Sequence, residues 1–232
     1  MKKNFIYLIF AAISLLSALA CTTIINDPDD IDDNGIFGGS GGGMKIDVMV
    51  GTQYVSEKFI SKIPPDLDNV NILFGGSIQI ASGKCLNGRL VIDLPNTLPN
   101  HYLRPLNDFV GGYEYYASYM GYEFNGIFSD KNAQMLYGIQ ILARKKNGGY
   151  VYFDYSPLTS FEFGIHTFIY VDRDVTIKGT QKMNSESVVE FDCSFKKGWN
   201  SLYLYENTYG TRITYTTQQS SNLNYGWIWM EY

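Results

Sequence analysis

The residue with the clearest chemistry is Cys21. It follows Ala18-Leu19-Ala20 and precedes an abrupt loss of hydrophobicity. The chain begins Met1-Lys2-Lys3-Asn4, and an apolar-to-small run of 16 residues leads from Phe5 to Ala20. Two lysines, a short apolar core and small residues at its end make a bacterial export signal. The run is short of the roughly 20 residues a membrane-spanning helix needs, so residues 1–20 read as a cleaved signal peptide. Ala18-Leu19-Ala20 suits ordinary signal peptidase. With Cys21 it also resembles a lipobox, although the usual leucine position is Ala18 and Leu19 sits one place later. The lipoprotein reading is preferred, because cleavage leaves Cys21 as the first residue, where an unpaired thiol has no structural use. Acyl chains contribute about 0.8 kcal/mol per buried methylene, so several of them hold a protein firmly to a bilayer.

Other reactive groups are sparse. His101 follows Leu98-Pro99-Asn100 and reads as a loop residue, while His166 enters an apolar strand. A zinc site draws on several clustered Cys, His or carboxylate ligands, and neither histidine has such neighbours in sequence. No metal site or cofactor is expected. Serine hydrolase chemistry needs a nucleophile, a base and an orienting acid. The chain has no G-x-S-x-G elbow, and no catalytic residue is assigned. Asp30-Ile31-Asp32-Asp33-Asn34-Gly35 fits the front half of a calcium loop, but loop position twelve is Gly41 where a bidentate glutamate belongs. A solvated acidic spacer is the preferred reading. Cys85 and Cys193 are candidates for one disulfide outside the cytoplasm. Cys193 also reads as a small core residue, and Cys85 as part of the turn Ser82-Gly83-Lys84-Cys85.

The best lead for binding is aromatic. Tyr113, Tyr115, Tyr116, Tyr119 and Tyr122 crowd into one stretch bracketed by Gly111, Gly112 and Gly121. With Trp199, Trp227 and Trp229 they suggest flat platforms for a sugar ring or a protein partner. Aromatic filling of a small β core is the competing explanation, and it is preferred for Trp199.

The elements that must position these groups are strands. Residues 21–43 form a tether, with five aspartates between positions 27 and 33 and then a glycine-rich run. Residues 44–232 have the length of one domain. Removing Lys2 and Lys3 from 18 basic residues, and the five tether aspartates from 23 acidic ones, leaves 16 against 18. A near-neutral surface argues against nucleic-acid binding. Nineteen tyrosines, fourteen phenylalanines and three tryptophans suit pleated, half-buried surfaces. In "VVEFDCSF", Val189, Phe191, Cys193 and Phe195 share one face and Glu190, Asp192 and Ser194 the other. "RLVIDL" places Leu90, Ile92 and Leu94 together. Gln134–Ala143 and Tyr150–Tyr155 predict a hairpin, and Lys196-Lys197-Gly198 predicts a tight hairpin turn between "VVEFDCSF" and the strand from Trp199 to Tyr205. The C-terminal "YGWIWMEY" is expected to close the sheet. "VSEKFISKI" at Val55–Ile63 has helical spacing, with Ser56 as a cap. The expected fold is an all-β antiparallel sandwich of roughly eight to ten strands.

Several of these stretches occur in a familiar order. "LNGRLVIDLPNTLP" runs from Leu86 to Pro99, "YVDRDVTIKGT" from Tyr170 to Thr180, and "FKKGWNSLYLY" follows, then a threonine-rich strand and a tryptophan strand. This order resembles a group of envelope lipoproteins of spirochaetes and Bacteroides-like bacteria, over about residues 70–232 and the leader. The resemblance implies an all-β, lipid-anchored extracytoplasmic protein and carries no catalytic residue. The sequence thus predicts a non-enzymatic interaction or binding module of the bacterial envelope. It would be held to the inner or outer membrane by an N-terminal lipid and would face a protein or glycan partner. A glycan-binding lipoprotein is the alternative, and a secreted hydrolase ranks third.

Overall fold

The computed structural model describes residues 43–55, 58–110, 124–146, 148–158, 163–182, 186–206, 211–221, 223 and 225–231. The chain is all-β, and alternation explains most of its strands. In chain order they are β1 (Lys45–Met49), β2 (Thr52–Val55), β3 (Lys58–Ser61), β4 (Leu67–Phe74), β5 (Ile78–Leu86), β6 (Arg89–Asp93), β7 (Arg104–Pro105), β8 (Phe124–Phe128) and β9 (Gln134–Leu136). There follow β10 (Ile139–Arg144), β11 (Tyr150–Pro157), β12 (Phe163–Val171), β13 (Val175–Lys182), β14 (Val188–Phe195), β15 (Gly198–Glu206), β16 (Arg212–Thr216) and β17 (Tyr225–Glu231). A single-turn helix, α1 (Leu106–Val110), follows β7.

The strands form two curled sheets, one of nine strands ordered β1-β6-β5-β4-β10-β11-β17-β2-β3, the other of eight ordered β7-β9-β12-β15-β16-β14-β13-β8. The sandwich is as expected, but each sheet alone holds about the number of strands expected for the whole. Short strands such as β2, β3, β7 and β9 carry too few residues to show alternation. Pairing is antiparallel except at β14–β16 and β17–β2, which are parallel. The first sheet curls because β1 and β2, near its opposite ends, are separated in the chain only by Val50 and Gly51. Val50 N–H donates to the Gly88 carbonyl at 2.7 Å and Lys62 N–H to the Gly51 carbonyl at 2.8 Å, fixing that bend.

Two hydrophobic cores result. The first joins the sheets: Ile92, Ile72, Phe153, Trp227 and Trp229 from one meet Phe168, Tyr170, Trp199 and Tyr203 from the other. The second lies against the opposite face of the second sheet, where Val189, Phe191, Cys193 and Phe195 pack with Ile177, Ile213 and the helical Leu106 and Val110. β12 and β15 are therefore a shared wall. Phe168 and Tyr170 face the first core while Ile169 and Val171 face the second. A strand buried on both sides reads as a continuous apolar run.

Four expectations change. Val55–Ile63 is not a helix: Val55 and Lys58–Ser61 belong to the β2–β3 hairpin, in which Tyr54 and Phe59 pair with ring centroids 5.1 Å apart, and Lys62 and Ile63 follow it as irregular chain. Tertiary pairing has overridden a short helical pattern. Gln134–Ala143 is split. β9 joins the second sheet and β10 the first, with Gly138 at φ +77° making the crossover. The expected β10–β11 hairpin is present. Lys196-Lys197-Gly198 does not close a hairpin, because β16 lies between β14 and β15. Finally, the C-terminal β17 does not close a sheet edge but lies between β11 and β2.

Candidate functional site

Each residue with chemical potential can now be placed. Cys21, and the tyrosines Tyr113, Tyr115, Tyr116, Tyr119 and Tyr122, lie outside the described residues. Cys85 and Cys193 are both free and buried, Cys85 in the first core and Cys193 in the second. The candidate disulfide between them is therefore absent, since alternation turns each thiol into a separate core. Burial pushes the Cys85 thiol up to about 11, with the Asp66 carboxylate adding to the effect. Burial likewise raises Cys193 to about 12, assisted by Asp192. Neither is a thiolate at neutral pH, so neither has the form a nucleophile or metal ligand takes.

The tryptophans are core residues rather than binding platforms. Trp199, Trp227 and Trp229 are all buried. Trp199 Nε1 donates to the Pro95 carbonyl at 2.8 Å and Trp229 Nε1 to the Lys62 carbonyl at 2.8 Å. Buried indoles need such acceptors. His101 is exposed on a 3₁₀ turn, its ring 4.2 Å from that of Tyr102.

The structure does assemble one polar aromatic cluster, from residues that local sequence gave no reason to group. Tyr155 on β11, His166 on β12, Tyr203 and Tyr205 on β15, and Tyr225 and Trp227 on β17 converge at the junction of the two sheets. The Tyr155 ring lies 5.1 Å from His166 edge-on and stacks at 5.4 Å on Tyr225. Tyr203 lies 4.9 Å from His166 and 5.6 Å from Tyr225. The connection from β16 to β17 caps the group. The hydroxyls of Tyr155 and Tyr203 both donate to Gln219 Oε1, at 3.4 and 3.3 Å. Tyr205 donates to the Gln218 carbonyl at 3.3 Å and accepts the Ser220 N–H.

Electrostatics limit what this cluster can do. Burial lowers His166 to about 3, so its imidazole is uncharged at neutral pH and a weak base. Burial raises Tyr203 to about 12 and also lifts Tyr155 and Tyr225. An efficient general base titrates near the working pH, and none of these groups does. Asp154 does titrate there: burial lifts it to about 7, opposed by the Tyr155 N–H it accepts at 2.9 Å. It is, however, adjacent to Tyr155 on one strand, so its side chain leaves by the other face of the sheet. The cluster therefore stacks and hydrogen-bonds. Among the described residues, no group of three or more His, Cys, Asp or Glu is arranged to hold a metal ion.

Comparison with known protein families, curated proteins and solved structures finds no match to this chain. Functional argument thus rests on the chain's own residues. The local signal that could have found the cluster is slight. His166 is the one strongly polar group in an apolar strand, and Tyr155, Tyr203 and Tyr225 come from three distant segments brought together by pairing. Among the described residues no helix is long and apolar enough to cross a membrane.

Proposed function

We propose that this protein is a lipid-anchored, non-enzymatic interaction module of the bacterial envelope, held on the membrane by acylated Cys21. One observation carries the reading: Lys2-Lys3, the apolar run Phe5–Ala20 and a cysteine at the end of that run, followed at once by a polar, acidic and then glycine-rich stretch. Export and anchoring need that order, and a cytoplasmic β-domain has no use for it. The neutral, buried character of His166, Cys85 and Cys193 is compatible with a binding rather than a reactive role. Cys21→Ser will release the protein from membranes, because the thiol that carries the acyl chains is gone. Detergent phase partitioning reads this directly. Equal partitioning of both forms into water overturns the anchor and leaves Ala18-Leu19-Ala20 as an ordinary cleavage site.

A glycan ligand is the second reading, favoured by the tyrosines between Tyr113 and Tyr122. Tyrosine gives a broad contact surface with only two torsions to freeze. A glycan-array screen of the Cys21→Ser protein supplies the probe. Alanine at Tyr115, Tyr116 or Tyr119 will weaken binding to the glycans retained and leave the melting temperature nearly unchanged. A large fall in melting temperature with each substitution would mean that these rings are core, and the glycan reading would be withdrawn.

A further inference from the structure

An edge strand leaves a row of N–H and C=O groups open to another chain. Among the described residues the edge strands are β1 and β3 in the first sheet and β7 and β8 in the second. Three of them are guarded. β1 carries Lys45 and Asp47, β3 carries Lys58 with Lys62 just beyond it, and β7 is two residues long and ends in Pro105. Charge, proline and shortness are the usual means of keeping an edge from pairing. β8 has none of them: its sequence is Phe-Asn-Gly-Ile-Phe. Asn125, Gly126 and Ile127 are exposed, and Ile127, at 74%, is the most exposed large apolar side chain among the described residues. The register shows which backbone groups are open. Ser129 N–H donates to the Thr176 carbonyl at 3.1 Å. Stepping along the ladder by two, Ile127–Lys178 and Asn125–Thr180 are then the pairs that exchange hydrogen bonds between β8 and β13. The N–H and C=O groups of Phe124, Gly126 and Phe128 point the other way, out of the sheet.

We infer that β8 is a self-association edge, at which a second copy of this chain adds its own β8 antiparallel across a two-fold axis through Gly126. The strand selects a copy of itself because its open groups are symmetric about that residue. In this register Phe124 opposes Phe128 across the axis and Gly126 opposes its own counterpart. Every open N–H and C=O of β8 then finds a partner, and a slip by two residues in either direction leaves open groups on both strands unpaired. The side chains match as well. Phe124 and Phe128 lie partly buried against the second core with ring centroids 5.1 Å apart, and across the axis they continue as one aromatic row. On the other face Ile127 lies against Asn125. A two-fold interface needs such a self-complementary patch, and main-chain pairing is how a bare edge binds an extended segment. Lys178, opposite Ile127 on β13, pairs with Asp192 at 3.1 Å, so the charge behind the edge is balanced. Five residues make a small interface, and the pairing will be weak and concentration-dependent.

The test uses the Cys21→Ser protein, whose remaining cysteines, Cys85 and Cys193, are buried and do not compete. Asn125→Cys and Ile127→Cys are made in it separately. In the two-fold register position 125 opposes position 127 as a non-hydrogen-bonded pair, with about 4.5 Å between Cα atoms, which a disulfide spans. Mild oxidation of the two variants mixed in equal amounts will give a covalent dimer holding one of each, and oxidation of either alone will give far less. Sedimentation velocity of the parent, from micromolar to millimolar, will show a monomer–dimer equilibrium. Ile127→Lys will shift it to monomer and leave the melting temperature nearly unchanged, because the side chain is exposed. A parent that stays monomeric throughout overturns the inference and leaves the edge to an extended segment of another protein. A dimer that survives Ile127→Lys places the contact elsewhere and also overturns it. Cross-linking stronger in either variant alone than in the mixture overturns the register and, with it, the symmetry that selects a second copy.

Discussion

Phe191→Ala will destabilise the domain by about 3–5 kcal/mol, the range for a phenylalanine deleted from a packed core. The ring is buried, stacks on Tyr215 at 5.3 Å with an interplanar angle of 8°, and meets Phe109 and Phe124 edge-on at 6.1 and 5.7 Å. Three partners on three different elements cannot all close on the gap at once, so much of the cavity will remain. Phe195→Ala belongs in the same range, because Phe195 is equally buried in the same core. The next residue along from Phe191 provides the control. Glu190 makes an exposed ion pair with Arg212 at 2.9 Å, and such pairs contribute about 0–1 kcal/mol. Urea unfolding of Phe191→Ala, Phe195→Ala and Glu190→Ala reads the three values. A larger loss for Glu190→Ala than for either phenylalanine would mean that β14 is shifted by one residue, with its faces exchanged.

That strand was legible because its polar and apolar residues alternate without exception from Val189 to Phe195, and only one register buries the apolar set. Leu90 and Ile92 in β6 were legible for the same reason. The partners of β14 were not. Lys196-Lys197-Gly198 is good turn chemistry, and locally it asks for a hairpin. What prevents one is β16, which pairs parallel with β14 and antiparallel with β15. That insertion is a long-range event with no mark in the turn itself. β12 and β15 hid their role differently. Both faces are buried, so no solvent side imposes a polar period, and nothing local says that Ile169 and Tyr170 enter separate cores. The hairpin at Val55–Ile63 was misread because Phe59, Ile60 and Ile63 fall at helical spacing when counted along the chain. In the fold they point in different directions from a projecting edge. The polar aromatic cluster shows the same limit at the level of the site. Its tyrosines lie on β11, β15 and β17, and only the sheet order brings them together.

Gly83→Ala will cost about 4 kcal/mol or more, in the exceptional range for a single substitution. The reason is backbone contact and not conformational freedom. Gly83 sits opposite Ile92 of β6, and a Cβ added to it would land on the Val91 carbonyl oxygen, with Ile92 Cα at 2.9 Å and Ile92 Cγ1 at 2.7 Å. A side-chain tip can swing aside, but a carbonyl already held in a sheet ladder cannot. On the other side of β5 the register with β4 slips between Leu67–Cys85 and Val70–Gly83. Gly83 thus occupies a bend where the first sheet turns, and glycine in a strand marks such close approaches. Ile92 faces the first core, so moving β6 away to make room would open that core as well. Gly51→Ala is the matched control. Gly51 also lies at a bend of the first sheet, but nothing stands within 4 Å of its added Cβ, and the change will stay within about 1 kcal/mol. Denaturant midpoints and soluble yield of the two variants measure the contrast. Were Gly83→Ala to unfold at the midpoint of Gly51→Ala, β5 and β6 would not approach this closely.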